Sequence, residues 1–122
     1  MSDLSNLRIN GPRLWEALME MAKIGGTPKG GCKRLTLTDL DKQGRELFIG
    51  WCESAGCKVS VDAMGNLFAR RPGTDNALPP VVMGSHLDTQ PTGASSMACS
   101  ACLARWRWCA HSTTWASRQN IR

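Results

Sequence analysis

Apolar residues recur at helical spacing in two stretches of the chain and alternate in a third. Gly11-Pro12 places a proline at a first helical position, and Leu14, Trp15, Leu18, Met21 and Ala22 follow at three-to-four spacing until Gly25-Gly26. The spacing predicts an amphipathic helix with Trp15 among its core anchors. Pro28, Gly30 and Gly31 break the pattern, so Thr27 to Thr36 reads as a loop. Thr38 has the chemistry of an N-cap, with Asp39 and Asp41 in a first turn that favours negative charge. Leu40, Leu47, Phe48, Trp51, Cys52 and Ala55 form one apolar stripe, and Gly56 ends it. Val59 and Val61 alternate with Lys58, Ser60 and Asp62, Met64-Gly65-Asn66 supplies turn chemistry, and Leu67 to Arg70 returns. This predicts a hairpin. After a polar loop from Arg71 to Asn76, Pro80-Val81-Val82-Met83 is short, apolar and closed by Gly84-Ser85, the pattern of a central buried strand. The order of elements predicts an α/β sheet with its site at a strand's C-terminal end.

Composition is ordinary for a globular chain, at 122 residues and 42% hydrophobic. Charge is not evenly spread. Residues 1–93 hold eleven Lys and Arg against ten Asp and Glu, so the net charge of +5 comes mostly from Arg105, Arg107, Arg118 and Arg122 in a tail without an acidic residue. A basic segment of this kind is weak support for a nucleic-acid partner. No stretch approaches the ~18 apolar residues of a membrane span, and the start lacks a charged region followed by an apolar run, so a cytoplasmic chain is expected. Of six cysteines, Cys99, Cys102 and Cys109 lie in the tail, while Cys32, Cys52 and Cys57 read as reduced thiols. Arg70-Arg71 reads as a solvated strand end.

The chemistry concentrates in Gly84-Ser85-His86-Leu87-Asp88-Thr89-Gln90. A neutral imidazole is the commonest metal ligand, and a carboxylate two residues on can hold its second nitrogen and fix its tautomer. One histidine is not a site.

The chain from about Arg8 to Gly93 nevertheless resembles the N-terminal part of the zinc-dependent N-carbamoyl-amino-acid amidohydrolases, of the β-ureidopropionase and allantoate amidohydrolase type. The pattern is carried by Arg13-Leu14-Trp15, Met19 to Gly25, Arg34-Leu35-Thr36-Leu37-Thr38-Asp39, Trp51-Cys52-Glu53, Val61 to Arg70 and Gly84 to Gln90. The resemblance implies an incomplete metallopeptidase-like catalytic domain, a site for two zinc ions, His86 as a metal ligand, and Asp88 as the catalytic-site carboxylate that orients it. It also implies hydrolysis of a ureido or amide C–N bond in a small N-carbamoyl or allantoate-like substrate, with a homodimer expected of the full-length enzyme.

After Gly93 the pattern stops. Where the family continues with glycine, a basic residue, an aromatic and the bridging Asp, this chain has Ala94-Ser95-Ser96-Met97. Synonymous codons for Ala94 to Cys102 can be chosen that, read from the last base of the Gly93 codon taken as G, give Gly-Lys-Phe-Asp-Gly-Val-Phe-Gly-Val. Residues 1–93 are therefore expected to be the N-terminal fragment of the catalytic domain, and 94–122 an out-of-frame, disordered tail that leaves the polypeptide inactive. The alternative takes the tail at face value: Cys99, Cys102, Cys109 and His111 as zinc ligands in a small nucleic-acid module with Trp106 and Trp108.

Overall fold

The computed structural model describes residues 10–91 and the backbone of 93 and 94. Helix α1 spans Gly11–Lys23; Asn10 caps it by accepting from the Arg13 amide at 3.0 Å, and Pro12 lies in its first turn. Its buried residues are Ala17, Leu18 and Met21. Leu14, Met19, Ile24, Leu47, Phe48, Trp51 and Leu87 pack around the Leu18–Met21 pair. Trp51 thus joins the core as expected, and Trp15 does not. At 57% exposure it stands on the solvent side. Each residue advances about 100° around a helix, and the buried stripe of 14, 18 and 21 leaves position 15 on its margin.

Two-residue strand β1, Gly31–Cys32, lies inside the stretch expected to be a plain loop and pairs antiparallel with the later strand β4, Gly93–Ala94. Helix α2 spans Asp39–Ser54 with Thr38 as N-cap, and Gly56 follows it at a φ of 78°. The start of α2 is doubly secured. Thr38 Oγ1 accepts from the Asp41 amide at 3.3 Å and donates to Leu35 O at 2.6 Å, while Asp41, itself buried, accepts from the Leu37 amide at 3.2 Å. The arrangement is close to a capping box, shifted one residue outward. Thr38→Ala is expected to lower stability by about 1 kcal/mol and Thr38→Asp to stay near wild type, read as urea midpoints. Equal midpoints for Thr38→Ala and wild type would show that the cap contributes nothing.

Strands β2, Lys58–Val61, and β3, Leu67–Arg70, form the expected antiparallel hairpin in the register Lys58 with Arg70 and Val61 with Leu67. The turn is organised by Asp62, whose carboxylate accepts from the amides of Met64 and Asn66 and from the Asn66 side chain. These bonds, led by the Asn66 side chain, hold the Asp62 carboxyl below the usual range. Arg45 on α2 donates to Gly65 O and ties the turn to the helix.

The run Pro80-Val81-Val82-Met83 is not a strand. Val81 and Val82 are 88% and 80% exposed, and among the described residues no strand pairs with them. Strand propensity needs a neighbouring ladder and a covered face to take effect, and the described residues supply neither. The expected tail, residues 94–122, lies outside the described residues apart from the backbone at 94. Among the described residues no disulfide joins Cys32, Cys52 and Cys57. No described helix is long and apolar enough to cross a membrane.

Candidate active site

His86 and Asp88 lie in an extended segment docked on residues 32–36. Thr89 is buried, and its amide donates to Arg34 O at 2.8 Å while its Oγ1 accepts from the Arg34 amide at 2.7 Å. The same hydroxyl donates to Cys32 O at 3.2 Å. Leu87, between the two polar residues, faces the core. This alternation places Leu87 inward and turns His86 toward solvent, with a side chain 68% exposed.

His86 Nδ1 lies 3.0 Å from Asp88 O and 3.1 Å from Asp88 Oδ1. An Nδ1–H can donate to either oxygen, and Nε2 is then the ring's lone-pair atom. The other carboxylate oxygen, Asp88 Oδ2, accepts from Thr36 Oγ1 at 2.6 Å. The Thr36 hydroxyl, ahead of His86, keeps the Asp88 carboxyl below its ordinary range. The carboxylate is therefore an anion at neutral pH, held from one side by a threonine and presented to an imidazole on the other.

A cavity of about 340 Å³ adjoins these groups; Thr36, Arg45, Phe48, Asn66, Met83, His86 and Asp88 are among the residues that line it. Among the described residues, however, no group of three or more His, Cys, Asp and Glu side chains could hold a metal ion. The described residues do not by themselves fit a metal. They supply one imidazole with its orienting carboxylate. Cys99, Cys102, Cys109 and His111, the alternative ligand set, lie outside the described residues.

Thr36, Arg34 and Thr89 were assigned no part by the sequence pattern, although each falls inside a stretch that carries the resemblance. The only signal was position, since threonines and an arginine near a loop ordinarily read as solvated.

Comparison with known proteins decides the relationship. An N-carbamoyl-L-amino-acid amidohydrolase of Rhizobium meliloti is 60% identical over 88 residues, covering 72% of this chain and 21% of the relative. The chain is homologous to the N-terminal part of this amidohydrolase family. A ureidoglycolate hydrolase of Arabidopsis thaliana is 32% identical over 87 residues, 71% of this chain and 18% of the relative. Among solved structures, a hydantoinase/carbamoylase family amidase of Burkholderia ambifaria matches with a TM-score of 0.85 at 51% identity, over 89% of this chain and 27% of that one. The chain spans about a fifth of the length of the curated relatives it matches. No family profile matches it. The mixture of helices and strands is that of an incomplete α/β domain, as the amidohydrolase pattern implied. These relatives are hydrolases, and they lend the nucleic-acid module no support.

Proposed function

We propose that residues up to about Gly93 carry part of the active site of an amidohydrolase that cleaves a C–N bond in N-carbamoyl amino acids or a related ureido compound. The observation that carries the reading is the 60% identity with an N-carbamoyl-L-amino-acid amidohydrolase; the Thr36, Asp88 and His86 relay is the geometry that goes with it. In this reading Asp88 holds Nδ1 of His86 and keeps the ring from turning, so that Nε2 faces outward as one ligand to zinc. A zinc ion there needs ligands in addition to those the described residues supply, and no step is assigned to it. Thr36 keeps the carboxylate ionised and fixed, which is the usual division of labour between a metal-binding histidine and its partners.

We also propose that a one-base shift near Gly93 separates the polypeptide from this activity. The test has two arms. Sequencing the gene across Gly93 is expected to show, one base off, Lys-Phe-Asp-Gly in an open frame; early stops in that frame overturn the shift. Ammonia release from N-carbamoyl amino acids is expected to be absent for the 122-residue polypeptide and present for the frame-restored protein. His86→Ala should abolish it, and Asp88→Asn should reduce it by about 10–100-fold. Turnover by the 122-residue polypeptide overturns the inactivity, and turnover unaffected by His86→Ala overturns the role of the histidine. Zinc titration of the intact chain, of His86→Ala and of a chain ending at Gly93 separates the body from the tail: tight binding lost only with the tail would favour the Cys99, Cys102, Cys109 and His111 set.

A further inference from the structure

Arginine is rarely fully buried, and Arg34 is 1% exposed. Its donors run to two separate parts of the chain. Nη1 donates to Met21 O at 3.0 Å and Ile24 O at 2.6 Å, carbonyls at the end of α1 where the helix leaves acceptors short of donors and favours a cation. Nε and Nη2 converge on a single acceptor, Leu87 O, at 3.1 Å and 2.9 Å. That carbonyl sits between His86 and Asp88. On the other side, a Cβ at Gly44 would stand 2.8 Å from Arg34 Cδ and 3.0 Å from Nε, so α2 seats directly against the arginine's stem.

We infer that Arg34 is a positioning residue for His86: by clamping Leu87 O to the end of α1 it fixes the backbone on which the His86 ring meets Asp88, and so selects the Nδ1–H tautomer. The link is direct. The Leu87 carbonyl belongs to the peptide unit whose nitrogen is that of Asp88, and Asp88 supplies both oxygens near Nδ1, its own carbonyl and Oδ1. A clamp on that peptide sets where both oxygens stand. The fork of the guanidinium is what makes this possible, since one planar group reaches three carbonyls at once and a lysine ammonium, a single point of charge on a flexible stem, does not. Arg34 also shares its backbone with the same clamp, exchanging bonds with Thr89. The inference takes its purpose from the reading of His86 as a ligand, whereas its geometry is independent of that reading.

The chain has two histidines, so a ¹⁵N-histidine spectrum holds two ring systems and His111→Gln assigns them. The measurement uses the full chain, dilute and without metal or substrate, at about pH 8, above the ordinary imidazole pKa of about 6.5. Wild type is expected to show His86 with Nδ1 protonated. Arg34→Lys and Gly44→Ala are expected to lose that signature and revert toward the Nε2–H form of free histidine while keeping their helical circular dichroism. Thr38→Ala, which weakens the fold without touching the clamp, should keep the Nδ1–H form. An Nε2–H ring in wild type overturns the inference, and so does an Nδ1–H ring in both clamp variants. If Arg34→Lys loses its helices, Gly44→Ala decides; if both lose them, Arg34 secures the core rather than the ring and the inference is overturned. Because no substrate is present, this outcome stands apart from the ammonia assay, on which the amidohydrolase reading rests.

Discussion

Arg34→Met should remove about 2–4 kcal/mol of interaction from the fold and move the midpoint of its urea unfolding curve clearly downward. The side chain is buried, and its removal acts on three carbonyls and on the Cys32 sulfur together. Leu87 O loses two donors at once. Met21 O and Ile24 O each lose one, although Met21 O still accepts from the Ile24 amide and Ile24 O from the Cys32 thiol. An acceptor stripped of its partner in a buried place costs about 1–3 kcal/mol, which sets the upper part of the range for Leu87 O and the lower part for the others. Methionine would recover some of this by filling the space with an apolar stem and by sparing the desolvation of a charge. That gain does not reach the total, because the carbonyls remain. Arg45→Met, which removes a bond to Gly65 O at the rim, is the control and should shift far less. A midpoint for Arg34→Met within about 0.5 kcal/mol of wild type, the span of an ordinary surface change, would show that the guanidinium is not structural.

The second large effect concerns the polypeptide as a whole. The buried apolar residues among those described are Ala17, Leu18, Met21, Cys32 and Cys52, a small set on which to found a cooperative transition. Against it, Leu78, Val81 and Val82 are 64%, 88% and 80% exposed, and on the hairpin Val61, Met64 and Phe68 are more than half exposed. Large apolar surface in contact with water drives association, and single stretches rich in β-branched residues do so most readily. The purified 122-residue polypeptide is therefore expected to melt broadly, with a heat-absorption peak far wider than a two-state domain of its size and light scattering that rises with protein concentration. A narrow, concentration-independent transition is the contrary result. Val81→Lys with Val82→Lys should reduce the scattering without altering the helical signal, since neither side chain enters the core.

Much of the architecture was legible because it depends on local signals. Thr38 with Asp39 and Asp41 announces a helix start, Gly56 announces its end, and Met64-Gly65-Asn66 announces a turn; all three appear where the sequence puts them, although the part of Asp62 in that turn was not visible beforehand. What failed depended on distant partners. The Val81 to Met83 run has the composition of a buried strand, but composition cannot show whether a neighbour is there to pair with it. Trp15 satisfies helical spacing, yet the width of the buried stripe was set by Leu87 and α2, which the periodicity of α1 does not see. The site divides in the same way. His86 and Asp88 were visible as a pair two residues apart, whereas Thr36 is 52 residues from Asp88 and Arg34 is 53 from Leu87, and separations of that length leave no mark in a local pattern. Arg34 was further disguised by its type, since a buried arginine runs against the ordinary preference for the surface.

The short ladder between β1 and β4 pairs Gly31 with Ala94 and Cys32 with Gly93. It is made of main-chain amides and carbonyls, which every residue except proline possesses in full. Such a ladder is blind to the letter it pairs: its main-chain groups are the same whichever residue other than proline stands at 94. The pairing thus carries the backbone past Gly93, where the sequence pattern of the resemblance stops, on groups that do not depend on the side chain at 94.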